Sequence, residues 1–162
     1  MYEKFGQFID GKWCQSSDKS TYEVINPANE EIIGHASKAT TQDIDRALKS
    51  AEKGLEIWKK TPPWQRSNII RKIADKMREK QDILAKWMTL EVGKPFAEAK
   101  GEVNGAADIF EWYAEETKRI YGQTVESRFE DTRVQIIYQP VGVVAALIPW
   151  NFPIILASRK IS

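Results

Sequence analysis

The sequence predicts an α/β fold, and three observations carry that assignment. The run 141–148, Val-Gly-Val-Val-Ala-Ala-Leu-Ile, is apolar without alternation, as a strand buried on both faces of a parallel sheet must be. Pro149 stops it and Pro153 suits the first turn of a helix, so a strand–loop–helix unit is expected there. Upstream, four apolar stripes at helical spacing follow a segment rich in short strand and turn signals.

Taken in order, the chain opens with Phe8-Ile9-Asp10-Gly11-Lys12-Trp13, where an Asp-Gly pair between strand formers predicts a hairpin. Two further short strands, 21–25 and 31–36, flank the turn-forming Asn26-Pro27-Ala28-Asn29. A small β ribbon is the reading for the whole segment. Thr40 and Asp43 have the spacing of a capping box, and Ile44, Ala47, Leu48, Ala51, Leu55 and Trp58 then mark one face of a helix.

Pro62-Pro63 ends that helix. Ile69, Ile70, Ile73, Ala74 and Met77 trace the next stripe on a strongly charged segment whose lysines and arginines are expected to face water. A third stripe, Ile83, Leu84, Trp87, Leu90 and Glu91, ends at Gly93-Lys94-Pro95, where the glycine suits a left-handed C-cap and the proline prevents continuation. The cluster Glu91, Gly93, Lys94 is accordingly read first as a helix terminus, with a functional site as the lesser alternative. The fourth stripe is the longest, from Val103 through Ala106, Ala107, Phe110 and Ala114 to Tyr121, with Gly122 as its expected stop. After it, 122–130 reads as a polar loop and 132–138 as a strand closed by Pro140.

The chain has 162 residues, 42% hydrophobic and 29% charged, the composition of a globular protein of about domain size. Twenty-four basic and 23 acidic residues are interspersed to a net charge of +1, which offers no footprint for nucleic acid or an anionic membrane. A nucleic-acid role for Arg66, Arg71, Lys72, Lys76 and Arg78 is weakened by the acids among them, Asp75 and Glu79. No run reaches transmembrane length and the start shows no leader, so a cytoplasmic location is expected. Cys14 is the only cysteine and His35 the only histidine; neither has metal-ligand company, and no metal site is expected.

Pro149-Trp150-Asn151-Phe152-Pro153, preceded by Pro140-Val-Gly-Val-Val, resembles the signature of the NAD(P)-dependent aldehyde dehydrogenase superfamily. Ile25-Asn26-Pro27-Ala28, Trp64 with Arg66, and Leu90-Glu-Val-Gly-Lys-Pro95 agree in order. The resemblance covers nearly the whole chain but only the front part of the family's fold. It implies a β ribbon and four helices over 1–121, an arm over 122–140 that pairs with another subunit, and over 141–162 the truncated start of a Rossmann-like core. The arm could equally be an edge hairpin within one monomer. By the same resemblance the catalytic cysteine, catalytic glutamate and glycine-rich cofactor loop lie outside this sequence, which has no G-x-G-x-x-G, and the chain alone is expected to be inactive.

Asn151 is the sharpest candidate for chemistry. A side-chain amide held where an oxygen becomes negative stabilises acyl transfer, and the resemblance implies an oxyanion-hole role at this motif position. It further implies that Ile148, Pro149, Trp150 and Asn151 border the site of NAD or NADP. Phe152, Ile155, Leu156 and Arg159, spaced 0, 3, 4 and 7, share one helical face that the resemblance turns toward the substrate passage. A guanidinium among apolar neighbours suits a carboxylate, in a substrate or elsewhere in the protein. Succinate-semialdehyde dehydrogenases are similar in carrying arginine here, and lactaldehyde dehydrogenases share the pattern. The substrate implied is a small aldehyde with a carboxylate or hydroxyl near its carbonyl. The alternative is a non-catalytic assembly module of the same family that pairs through its exposed strand.

Overall fold

The computed structural model describes residues 6–162; the first five, which belong to the stretch read as lacking a leader, lie outside them. The chain begins with β1 (Gln7–Ile9) and β2 (Lys12–Cys14), an antiparallel hairpin in which Phe8 faces Trp13, the ring centroids 5.1 Å apart. Asp10 and Gly11 both take positive φ, 54° and 73°, as a two-residue turn that follows the right-handed twist of its strands requires. A second hairpin joins β3 (Thr21–Ile25) to β4 (Ile32–Ser37), turning over Asn26, whose Oδ1 accepts the Ala28 N–H at 3.0 Å. The expected single ribbon is therefore two separate two-stranded sheets. Three-residue strands offer too few ladder bonds to extend into one sheet, and side chains join the pieces instead.

Asp43 makes that junction. Completely buried at the start of α1 (Thr41–Trp58), it closes the capping box with Thr40 and accepts the Ser17 N–H at 3.1 Å and Gln7 Nε2 at 3.4 Å. Arg46 Nη2 donates to its other oxygen at 2.8 Å. The Thr40 backbone N–H is the leading cause that holds the Asp43 carboxyl far below the usual range, with Ser17 N–H adding to it. Beyond this junction α1 stands apart: Ile44 and Leu48 on its apolar face remain about half exposed.

The core is a helical layer of α2 (Pro63–Glu79), α3 (Gln81–Val92) and α4 (Phe96–Glu116). Pro63 occupies the first helical position of α2, and Gly93, at φ 76°, caps α3 in the left-handed region. Val103, Ala106, Ala107 and Phe110 of α4 are buried, with Ile70 and Ala74 of α2 on one side and Ala85 and Met88 of α3 on the other. Small residues at the crossings allow close approach, and Met77 touches both clusters. In α3 the buried pair is Ala85 and Met88, whereas Ile83 of the expected stripe is exposed, because α4 covers only one side of a helix that is apolar over much of its girth. The cations of α2 do not all face water: Arg78 reaches Asp108 at 2.8 Å and Glu111 at 2.7 Å, and Arg71 pairs with Glu111 and Glu115.

Helix α4 ends at Glu116, short of Gly122, and passes into a 3-10 turn, Thr117–Arg119. Ile120 and Tyr121, which continue the stripe in sequence, are exposed, and a stripe with nothing to bury against does not prolong a helix. The stretch expected as a loop contains β5 (Gln123–Glu126), paired antiparallel with β6 (Arg133–Ile136). Its composition hides a strand that exists only through that pairing. Every residue of both strands is exposed.

The run 141–148 is the main departure. It forms no strand, and Val141 and Leu147 are 93% and 86% exposed. A strand of this apolar kind needs a neighbour on each edge and cover on each face, and none of the described residues supplies either. The chain then turns through 150–152 into α5 (Pro153–Ile161), which packs on α4.

Candidate active site

The loop 149–152 is held from below by two charged side chains. Phe152, at the N-cap of α5, provides no side-chain cap, and Pro153 has no N–H to satisfy. The next two N–H groups, of Ile154 and Ile155, donate to Oε1 of Glu102 at 3.0 and 3.3 Å. Glu102 comes from the middle of α4 and is only 4% exposed. A carboxylate at this point meets the positive end of the helix dipole as well as the two donors. Its other oxygen takes the ammonium of Lys94, which leaves α3 just past the Gly93 cap and is itself almost buried.

Lys94 continues the chain of contacts upward. Its Nζ donates to the Asn151 carbonyl at 3.0 Å and lies 3.9 Å from the centre of the Phe152 ring, within range of a cation–π contact. The Asn151–Phe152 peptide and the Phe152 ring are thereby tied to α4 through one ion pair. The Asn151 side chain makes no hydrogen bond among the described residues, and the residue is exposed. Two N–H donors directed at solvent from a backbone fixed in this way can serve an oxygen that gains negative charge.

The sequence-predicted residues distribute around this anchor. Pro149 and Trp150 are exposed and Ile148 half-buried, an apolar rim leading into the loop. Along α5, Ile154 reaches the core cluster of Ala85, Met88, Ala99 and Val103, and Ser158 is buried, its hydroxyl bonded to the Ile154 carbonyl at 2.8 Å. Ile155 and Leu156 are half-buried; Ile155 lies against Gly105 of α4. Arg159 is exposed and forms no ion pair among the described residues. Of the residues set aside earlier, Cys14 donates its thiol to the Gln7 carbonyl at 3.4 Å in the first hairpin, and His35 is exposed on β4. No metal-binding cluster occurs among the described residues.

Glu102 and Gly105 were not marked by sequence reasoning, and Lys94 was marked only as part of a helix terminus, not as a partner of the Asn151 loop. For Glu102 a signal exists: it falls three residues after Ala99 and four before Ala106, a carboxylate on the face of α4 that is otherwise apolar. Lys94 gives none, because its partner is eight residues away across a helix break. Clefts lie elsewhere on the described residues as well: one of about 450 Å3 bordered by Arg78 and Lys100, one of about 390 Å3 between Lys72 and Leu84, one of about 370 Å3 between Cys14 and Lys53, and one of about 660 Å3 at the β5–β6 turn. In the signature loop itself, Pro149, Trp150, Asn151 and Phe152 are all exposed.

Comparison with known proteins bears on this geometry. Residues 13–162 match the model of the aldehyde dehydrogenase family. The chain is 45% identical over 153 residues to a glutarate-semialdehyde dehydrogenase of Pseudomonas aeruginosa, a match covering 94% of this chain and 32% of that protein. It is 43% identical over 152 residues to the NADP+-dependent succinate-semialdehyde dehydrogenase of Escherichia coli, with the same coverage of 94% and 32%. A crystal structure of an NADP-dependent enzyme from E. coli superposes with a TM-score of 0.93 at 41% identity, over 99% of this chain and 34% of the other. The chain spans about a third of the length of the relatives it matches. Among the described residues no helix is long and apolar enough to cross a membrane.

Proposed function

The chain belongs to the aldehyde dehydrogenase family, and from that premise we propose that it is the amino-terminal portion of an NAD(P)-dependent enzyme that oxidises a small aldehyde bearing a carboxylate or hydroxyl to the acid. The observation that carries the proposal is the intact Pro149–Pro153 motif, with Asn151 exposed at the entry to α5 and its backbone bound to Lys94. In this reading the Asn151 amide donates to the aldehyde oxygen as a nucleophile from outside these residues adds to the carbonyl carbon. Charge that develops on oxygen then meets a donor that needs no reorganisation.

NAD or NADP, when bound, accepts the hydride released from the carbonyl carbon. Ile148, Pro149 and Trp150 suit one wall of its site: Trp150 is 76% exposed, an apolar ring free to lie against a base or ribose, with the Asn151 backbone beside it. Phe152, Ile155, Leu156 and Arg159 border the approach of the aldehyde, Ile155 also seating the helix on α4. Arg159, free of any protein carboxylate among the described residues, offers a planar fork to a substrate carboxylate. Relatives that act on succinate and glutarate semialdehydes support that substrate class.

The same reading divides the chain into 1–121, an amino-terminal part of the cofactor-binding domain, the arm 122–140, and 141–162, the start of a Rossmann-like core, and assigns it to the cytoplasm. The chain alone is inactive, since it carries one donor and part of two walls. Run 141–148 gains its ladder when parallel strands flank it. A second reading, a non-catalytic assembly module, draws on the β5–β6 hairpin, whose strands are wholly exposed and whose outer edges are unpaired. Both readings have the hairpin pair with a second copy.

The experiment is turnover of succinate semialdehyde against a plain aliphatic aldehyde, with NAD+ and NADP+, by the complete enzyme and its Arg159→Ala variant. The proposal expects dehydrogenase activity and a preference for the semialdehyde that Arg159→Ala removes. Activity with an unchanged preference rejects the substrate class; no activity in the complete protein favours the assembly module.

A further inference from the structure

We propose that the Lys94–Glu102 ion pair is a positioning device for Asn151, setting the direction of its amide from the backbone side; this rests on the reading of Asn151 as the oxyanion donor. A side chain with no protein hydrogen bond of its own is aimed only by its backbone and by local packing. Here the backbone is fixed at three atoms, the Asn151 carbonyl and the Ile154 and Ile155 N–H groups, with the Phe152 ring held beside them. Lys94 holds the carbonyl of Asn151 and the face of Phe152, and Glu102 holds the N–H groups of Ile154 and Ile155. These points lie on either side of Pro153 and span the turn on which the Asn151 amide is carried.

The two charges are not interchangeable with an ordinary cap. A Ser or Asp at position 152 would satisfy the α5 donors locally, but it would leave the carbonyl of 151 free to rotate. A carboxylate delivered from α4 ties the helix start to the core, and its cation then reaches the residue before the cap. Removal of the Lys94 charge leaves the carbonyl of 151 untied and Glu102 buried beside an unpaired position. The predicted consequence is a misdirected donor, felt in the transition state more than in substrate binding.

The test pairs two measurements. Amide hydrogen exchange in the complete enzyme follows Ile154 and Ile155, with Val103 and Ala107 in α4 as controls for folding. Steady-state kinetics of the complete enzyme follow kcat and KM for the aldehyde. For Lys94→Met the proposal expects exchange at Ile154 and Ile155 to quicken relative to α4, and kcat to fall at least about tenfold with KM little changed. Lys94→Arg, which can pair with Glu102 and still donate to the carbonyl, should recover most of both. If Lys94→Met also loosens α4, Glu102→Gln replaces it: the Gln carbonyl still accepts from the helix, the charge on Lys94 loses its partner, and kcat should fall with α4 intact. An unchanged kcat in an otherwise active enzyme, or a change in KM alone, overturns the positioning role and leaves the functional reading standing. Absence of aldehyde oxidation in the unmodified complete enzyme overturns both, while the exchange result still reports whether the pair anchors the loop.

Discussion

Cδ1 of Ile155 lies 3.2 Å from the point at which a side-chain carbon on Gly105 would stand. The start of α5 therefore meets α4 at a position where the absent methyl is what permits the approach, and the Glu102 cap is within reach only because the helices are this close. Glycine inside a helix ordinarily costs about 0.5–1 kcal/mol relative to alanine. At Gly101, where a Cβ would have nothing within 4 Å, alanine should return that amount. At Gly105 the gain should be cancelled by displacement of Ile155, and Gly105→Val should destabilise by about 1–3 kcal/mol. Urea unfolding of the three variants checks it; equal gains for Gly101→Ala and Gly105→Ala would show that α5 does not sit where described.

Acid should loosen the amino-terminal hairpins first. Asp18 accepts from the Ser20 hydroxyl at 2.6 Å, the Ser16 hydroxyl at 2.7 Å and the Ser20 N–H at 2.8 Å, and these bonds, the Ser20 hydroxyl foremost, lower its carboxyl from 3.8 to about 2. Asp43 is lowered in the same direction by the Thr40 N–H first. A carboxyl with a depressed folded pKa contributes stability that is fully present above 3.8 and is lost as pH falls through the folded value. Stability should therefore decline on acidification from 3.8 toward about 2. In Asp18→Asn the slope of unfolding free energy against pH over that window should shrink by up to about one proton. A slope identical to that of the unmodified chain would remove Asp18 from the account.

Ion pairs in this molecule differ sharply in consequence. Arg78 with Asp108 and Glu111 is a half-exposed pairing between α2 and α4, and Asp108→Ala should cost under about 1 kcal/mol, less at high salt. Glu102→Ala removes a buried partner of Lys94 and, with it, the acceptor of two helix-terminal N–H groups, and should cost about 3–5 kcal/mol. Thermal unfolding at low and high ionic strength separates them. A salt-sensitive Glu102→Ala of small effect would mean that the Lys94 pair is solvated.

Much of this was legible in the residues. The Asp10-Gly11 turn, the Thr40–Asp43 box, Gly93 and Pro153 each act through local backbone chemistry, and each stands at the position its residue type indicated. What required partners was not. Strand β5 takes its form from β6, α3 selects Ala85 and Met88 because α4 lies on that side, and the run 141–148 forms no strand and stays largely exposed without neighbouring strands. At the candidate site, the Asn151 motif was visible in sequence, whereas the support beneath it was not. Lys94 and Glu102 meet through the fold, and only the carboxylate's place on an apolar face of α4 hints at it.

The central claim is that the amide of Asn151 stabilises charge on the substrate oxygen. Single-turnover oxidation of succinate semialdehyde by the complete enzyme, comparing Asn151 with Asn151→Ala, tests it most directly. The account predicts a rate lower by about 10²–10³ with substrate affinity little altered, the loss expected when one oxyanion donor is removed. An Asn151→Ala enzyme that turns over at the unmodified rate would contradict it.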